Sequence, residues 1–251
     1  MIRLQPHPCP PELTDDVSSQ LTQAFLADNT KPVWKQDYIV RALMKMSHDK
    51  CCYCECKIHE ESKYPEVEHF YPKKWYPELV VAWENLLPAC KRCNGNKRDH
   101  DTGKDPILHP VKDEPKDHLK LVNYWFLEKT TLGKQTIRVI KLNDIPRRMV
   151  EIRLEIDERF HKELVLLEHL AQDLLDGIVT TNLRKELIVN KMKVILSECL
   201  PQSRYAAASA TFLVNKPLFL SVKSILRSCH LWDEEMTRME NIAREIALEV
   251  F

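Results

Sequence analysis

Six of the nine cysteines fall between positions 51 and 93, in the stretches CCYCEC and CKRC. Cys51-Cys52-Tyr53-Cys54 and Cys90-Lys91-Arg92-Cys93 are each C-x-x-C, a spacing that turns two thiolates toward one point. Two such knuckles suit a tetrahedral four-sulfur zinc site, which leaves no position for water and is therefore structural. Cys51, Cys54, Cys90 and Cys93 are expected to hold that ion and to clamp the two ends of the 51–93 segment together. Cys52 and Cys56 crowd the first knuckle, and either could replace Cys51 or Cys54; the two-residue gap of the second pair favours Cys51 with Cys54. A redox role would need a single C-x-x-C after a strand in a βαβ context, which is absent. Cys9, Cys199 and Cys229 stand alone and are expected to be buried small hydrophobes.

Between and just after the knuckles lie Glu68-His69, then Asn85, then Asn94 and Lys97. Together they form a kit for cleaving a phosphodiester. A hard divalent ion needs oxygen ligands, which Glu68 and the side-chain oxygen of Asn94 could supply, leaving positions for water and a phosphate. A neutral His69 imidazole beside the ion could deprotonate the attacking water. Lys97 would offset charge on the phosphate oxygens. Asn85 would hold the imidazole in place by an amide hydrogen bond to its backbone. Asparagine is a poor ligand for transition metals, so the expected ion is magnesium or manganese. Asn96, Asp99 and His100 are close enough in sequence to serve as alternative ligands. From 69 to 98, Lys73, Lys74, Lys91, Arg92, Lys97 and Arg98 oppose only Glu78 and Glu84, a local excess that suits a phosphate backbone.

The elements that must position these residues are mostly helical. Four glycines in 251 residues and long Leu/Ile/Val/Glu/Lys/Arg stretches favour helix. Leu13, Val17, Leu21 and Phe25 predict a first helix with Pro10–Pro11 in its first turn, and Tyr38, Ile39, Ala42, Leu43 and Met46 predict a second that delivers the chain to Cys51. Residues 51 to about 118 are broken by prolines and clustered polar residues, which predicts loops around short elements. LKLVNYWFLE and QTIRVIKLN predict a β-hairpin turning around Gly133. Asn143–Asp144 ahead of Pro146 predicts the cap of a long helix running to Gly177, and further helices are expected over 182–199, 204–214, 217–228 and 233–250. The expected domain boundary lies near 143, with a cysteine-rich 1–143 and a helical 144–251 that carries no catalytic motif. An exposed part of one of its apolar stripes is a candidate partner-docking face.

Thirty-seven basic and 37 acidic residues give no net charge, which excludes a polycation that coats nucleic acid or an anionic membrane. The start MIRLQPHPCPPEL has no apolar h-region of a signal peptide, and the most apolar run, YAAASATFLV, is too short to span a bilayer. A cytoplasmic protein with reduced thiols is therefore expected. A neutral chain with one basic patch is expected to bind its target weakly alone, which favours a partner.

The order C-x-x-C, E-H-x-x-P, W-x-N-L, C-x-x-C-N-x-x-K resembles the HNH endonucleases, in particular those of bacterial anti-phage systems and their retron-linked relatives. The motif portion covers about 45 residues; a proline-rich segment like DPILHPVKDEP, a TI-x-x-x-x-LN element and a helical second half extend it more loosely. The resemblance implies an α+β fold that is mostly helical, with a small ββα-metal core inside a four-cysteine zinc ribbon and an all-helical C-terminal domain. It implies His69 as general base, Glu68 as metal ligand, Asn85 as the orienting asparagine, and Asn94 where many members have the last histidine. That asparagine is a known variant, and it leaves an attenuated site open. The implied activity is hydrolysis of nucleic acid, DNA above RNA, to a 5′-phosphate and a 3′-hydroxyl, in company with an ABC/SMC-type ATPase. An RNase acting on tRNA and an inactive zinc-ribbon module bridging an ATPase to nucleic acid are the alternatives.

Overall fold

The computed structural model describes residues 1–61 and 65–250. The chain divides into two compact units, Met1–Leu119 with Leu127–Leu142, and Lys120–Phe126 with Asn143–Phe251. The chain is mostly helical, with two small two-stranded sheets among the described residues.

The first unit opens with α1 (Asp15–Ala27) and α2 (Asp37–Ser47). Pro10 and Pro11 precede α1 and do not form its first turn. Thr14 is the cap, its hydroxyl accepting from the Val17 N–H at 3.3 Å, and Asp15 and Asp16 complement the positive end of the helix dipole. α2 buries Ile39, Leu43, Met44 and Met46 and stops at His48 and Asp49, both left-handed, which turn the chain into the first knuckle. A short α3 (Ile58–Glu61) follows, then β1 (Glu66–His69), β2 (Leu86–Ala89), α4 (Lys91–Lys97) and α5 (Pro115–His118). Single 3₁₀ turns at Pro77–Leu79 and Trp83–Asn85 interrupt the loop between β1 and β2. The strands are antiparallel, with Glu68 opposite Leu87 and His69 opposite Leu86. Phe25, Val33, Val80 and Val81 form a small core beside this pair, with Leu21, Ala24 and Trp34 packed on it.

The hairpin lies earlier than the sequence predicts. β3 (Leu119–Val122) and β4 (Trp125–Glu128) both fall within LKLVNYWFLE, joined by Asn123 and Tyr124 at φ 48° and 70°. A two-residue turn with both φ values positive matches the twist of paired strands, and asparagine is the residue that tolerates it. The TIRVI segment is then helix α6 (Thr131–Ile140): Thr130 caps it through the Gly133 N–H at 3.2 Å, and Gly133, Thr136 and Ile140 share its buried face. A β-branched content typical of strands is overridden here by the cap and by i, i+3/i+4 burial. Gly133 is needed for space, since a Cβ there would meet the His118 carbonyl oxygen at 2.1 Å.

The second unit contains α7 (Met149–Leu175), α8 (Asn182–Ser197), α9 (Ala206–Val214), α10 (Pro217–Ser228) and α11 (Glu234–Ile246). α7 starts after Arg148, several residues later than the Asn143–Asp144 cap predicts, because Asn143 is engaged in a different contact. Its side chain pairs with both backbone groups of Phe126 (Oδ1 accepting at 2.9 Å, Nδ2 donating at 2.8 Å) and accepts from the buried Arg153 at 3.0 Å. The stripe Phe160, Leu164, Leu167, Ala171 and Leu174 packs with Ile188 and Met192 of α8, Leu213 of α9, Phe219 and Val222 of α10, and Met236 of α11 in one core. Of the solitary cysteines, Cys199 is buried in that core, Cys229 is half-buried and Cys9 is exposed, so the expectation of burial fails for Cys9.

Candidate active site and metal centre

The first knuckle is a tight loop whose ends pair through a Lys50–Lys57 bridge, with the Cys51 N–H donating to the Cys56 carbonyl at 3.0 Å and the Glu55 N–H to that of Cys51 at 3.0 Å. The Cys52 N–H donates to the Pro88 carbonyl at 2.9 Å, which lays the knuckle along the outer edge of β2. β2 ends at Ala89, so the second knuckle follows at once. Cys90 caps α4 with its sulfur, which accepts from the Cys93 N–H at 3.4 Å. The ligand atoms of Cys51, Cys54, Cys90 and Cys93 all lie within 4.8 Å of one another, and all four residues are buried. The Cys54 and Cys90 sulfurs are 3.9 Å apart, against an edge of about 3.8 Å for a tetrahedron of sulfurs bound to zinc at about 2.3 Å. The site fits a metal ion such as zinc. Without a metal, burial and mutual hydrogen bonding pull the thiols apart, Cys90 and Cys54 to below their ordinary range and Cys51 and Cys93 to above it; four thiols this close must lose protons to a cation or share them.

β1 stops at His69, and the imidazole lies 5.0 Å from the Trp34 ring, edge to face. Its Nε2 is 2.9 Å from the Val80 carbonyl oxygen. A carbonyl can only accept, so Nε2 carries the hydrogen and Nδ1 keeps its lone pair. Burial, with the charges of Lys73 and Lys97, pushes the imidazole down to about 4 against the pull of Val80. At neutral pH the ring is uncharged and its tautomer is set, the state a general base requires.

Glu68 is 1% exposed, and its Oε1 lies 2.6 Å from the Lys97 ammonium, which is itself buried. Burial raises the carboxyl to about 7 while Lys97 draws it down. The same ammonium donates to the His69 carbonyl at 2.8 Å. Lys97 therefore does not sit at the surface, free for a phosphate, as its sequence position suggests; it holds the His69 backbone and faces the Glu68 carboxyl. Asn85 also acts at a different place from the one expected. Its Oδ1 accepts from the Tyr71 N–H at 2.7 Å, and its Nδ2 donates to the Tyr71 and Leu79 carbonyls at 3.1 and 3.0 Å. It closes the 70–85 loop two residues beyond His69, while its backbone carbonyl accepts from the Phe70 N–H at 2.9 Å. Thr102 completes the set, its hydroxyl donating to the Phe70 carbonyl at 2.6 Å.

Asn94 is half-buried on α4, three residues before Lys97 and so on the same side of the helix. Its amide makes no hydrogen bond to the described residues. A carboxylate and a carboxamide oxygen are donors of the kind a hard divalent ion takes, and here the Glu68 carboxylate is paired with the Lys97 ammonium. Of the alternative ligands, His100 is turned to Asp105, with its Nε2 2.7 Å from the carbonyl oxygen, and the Asn96 amide donates to the Ile140 carbonyl at 3.0 Å. Trp34, Thr102 and the Val80 carbonyl carry no motif in the sequence; only their places in the fold reveal them.

The chain is thus mostly helical and carries four buried cysteines that could hold a metal ion, joined to a short antiparallel strand pair. No family model matches the chain, and no solved structure matches it. It is 41% identical over 250 residues to the Septu protein PtuB of Bacillus thuringiensis, across 99% of this chain and 96% of that protein. It is 29% identical over 188 residues to the Septu protein PtuB of Bacillus mycoides strain KBAB4, across 62% and 61% of the two. The chain belongs to the Septu PtuB family.

Proposed function

We propose that the protein is a metal-dependent HNH-type endonuclease that acts in the cytoplasm as the effector of a Septu anti-phage defence system, with β1, β2 and α4 as its ββα-metal core. The observation that carries this reading is the His69 imidazole: neutral, its Nε2–H directed to the Val80 carbonyl and its Nδ1 left as the base. Nδ1 takes the proton of the attacking water, and the Val80 carbonyl steadies the ring as it becomes charged. Lys97, Thr102 and Asn85 fix the backbone from 69 to 71 so that the base does not shift during the step. Glu68 and Asn94 would hold a magnesium or manganese ion, whose contribution is Lewis acidity at the phosphate. Zinc in the four-cysteine site would have a structural role.

The partner is an ATPase of the ABC/SMC type, PtuA in a Septu system. Support for a docked half comes from α7 and α8, which expose Leu166, Leu175, Leu183, Leu187 and Val194. A second reading is favoured by one observation: Lys97 already neutralises Glu68, as it would in a binding module that needs no ion there. The test is cleavage of DNA and RNA by the chain with its ATPase and manganese or magnesium. The wild type should cut, DNA in preference, and leave 3′-hydroxyl ends. His69→Ala should lose cutting with its zinc content and ATPase binding unchanged. Cutting retained by His69→Ala overturns the base assignment, and a wild type that cuts neither polymer favours the binding module.

A further inference from the structure

The loop that follows the base also builds a surface that catalysis does not use. A cleft of about 420 Å³ lies between the end of α1, at Leu26 and Asn29, and the segment Lys73, Lys74 and Pro77. Each of the two lysines that line it lies over a tryptophan ring. The Lys73 ammonium is 4.8 Å from the centre of the Trp34 ring, the ring that packs edge-on against His69. The Lys74 ammonium is 4.8 Å from that of Trp75. Lys73 has no acidic partner within ion-pair distance among the described residues. Lys74 faces Asp99, which also lines the cleft, at 3.6 Å, with both side chains more than half exposed, so water competes for that pair.

Trp75 is 51% exposed. Its indole N–H is fixed on the Asp99 carbonyl at 2.9 Å, so the ring is held in place although much of it stays in water. An exposed indole held in place, with Lys74 over one face and Lys73 two residues before it in the chain, is what a stacking platform next to a phosphate track requires. A duplex keeps its bases stacked on one another and offers such a ring only its backbone; an unpaired strand offers a base face.

We infer that this cleft seats single-stranded nucleic acid, with Lys73 and Lys74 on the phosphates and Trp75 against an unpaired base, and so leads an unpaired strand toward His69. The inference deepens the nuclease reading and rests on it for the direction of the strand, but the binding itself needs no cleavage.

The test uses the full chain with its zinc and no added magnesium or manganese, and measures anisotropy of labelled oligo(dT), oligo(U) and a duplex of equal length at low salt. Single strands should bind more tightly than the duplex. Trp75→Ala should weaken that binding about tenfold, the loss of one base stack, and Trp75→Phe should restore most of it. Lys73→Ala/Lys74→Ala should lower the slope of log affinity against log salt by about 1.4, the value for two phosphate contacts on a single strand. The oligo(dT) and oligo(U) arms assign the sugar. A duplex bound as tightly as the single strands, no binding of single strands, or a Trp75→Ala variant of full zinc content with unchanged affinity overturns the inference. Failure of the nuclease reading is visible separately, because it is measured by cutting and this is not.

Discussion

Replacing Lys97 by methionine keeps the length of the side chain and removes its charge. In the folded protein the Lys97 and Glu68 side chains are 0% and 2% exposed and 2.6 Å apart. Removing one member of such a pair leaves the other charge buried and uncompensated, at a cost of about 3–5 kcal/mol. The His69 carbonyl, which loses its donor at 2.8 Å, pushes the value toward the upper end. For a unit of this size that loss lowers the melting temperature by about 10–20 °C. The effect must also depend on pH. The Glu68 carboxyl is held at about 7, above its ordinary 4.5, so its protonated form is favoured by folding. Its contribution to stability is full below its unfolded value and is lost as the pH rises through about 7. Without Lys97 the carboxyl moves higher still, so the deficit of Lys97→Met should be smallest near pH 5, where both proteins carry a neutral acid, and larger near pH 8 by up to about 1.4 kcal/mol, the free energy of the one pH unit above the wild-type value. Denaturant titrations followed by tryptophan fluorescence, with zinc in excess, measure this; Trp34, Trp75 and Trp83 all lie in the first unit. Glu68→Gln/Lys97→Met should recover about 2 kcal/mol of the loss near pH 8, because burying a neutral amide costs less than burying a carboxylate. A deficit independent of pH, or a double variant no more stable than the single one, would refute the reasoning.

Metal analysis should find one zinc per chain. Cys90→Ser/Cys93→Ser should lose it together with the folded signal of the first unit, since binding of a structural ion is folding free energy, while Cys52→Ser and Cys56→Ser should keep it. Asn85→Ala removes three hydrogen bonds from the 70–85 loop, at a cost of about 2–4 kcal/mol. Limited proteolysis of that variant should cut first between 70 and 85; cutting no faster there than in the wild type would show that the loop is held by something else.

The parts of the molecule legible in the sequence are those whose chemistry dictates spacing. Cysteines at C-x-x-C intervals announce a common point, and the apolar stripe from Phe160 to Leu174 announces a helix that buries one face. The element between 119 and 142 is not legible because its local signals conflict. Thr136, Ile137, Val139 and Ile140 have the content of a strand, and only the Thr130 cap and the crowding at Gly133 reveal a helix. The place of Lys97 is hidden for a related reason. A lysine near the end of a short helix is by default solvated, and nothing in the chain states that a buried carboxylate waits 29 residues earlier. The sequence puts Asn85 in the right loop but not on the right backbone groups, since hydrogen-bond partners depend on how the loop folds back.

The geometry joins the four-cysteine site to Glu68 and His69 through one helix. Cys90 caps α4 and Cys93 lies in its first turn, while Asn94 and Lys97 follow on the same seven residues. A helix this short has little stability of its own in water, so its direction is set by what holds its ends. At one end those holds are two of the four sulfurs; at the other they are the Lys97 contacts to Glu68 and to the His69 carbonyl. The first knuckle lies along β2, and β2 is the strand that pairs with β1, which carries Glu68 and His69. The sulfurs thus reach the acid and base by two routes, through α4 and through the strand pair. If the proposed nuclease reading holds, a structural ion with no open coordination position would still govern catalysis, because it fixes the distance between the strand that bears His69 and the helix that bears Asn94.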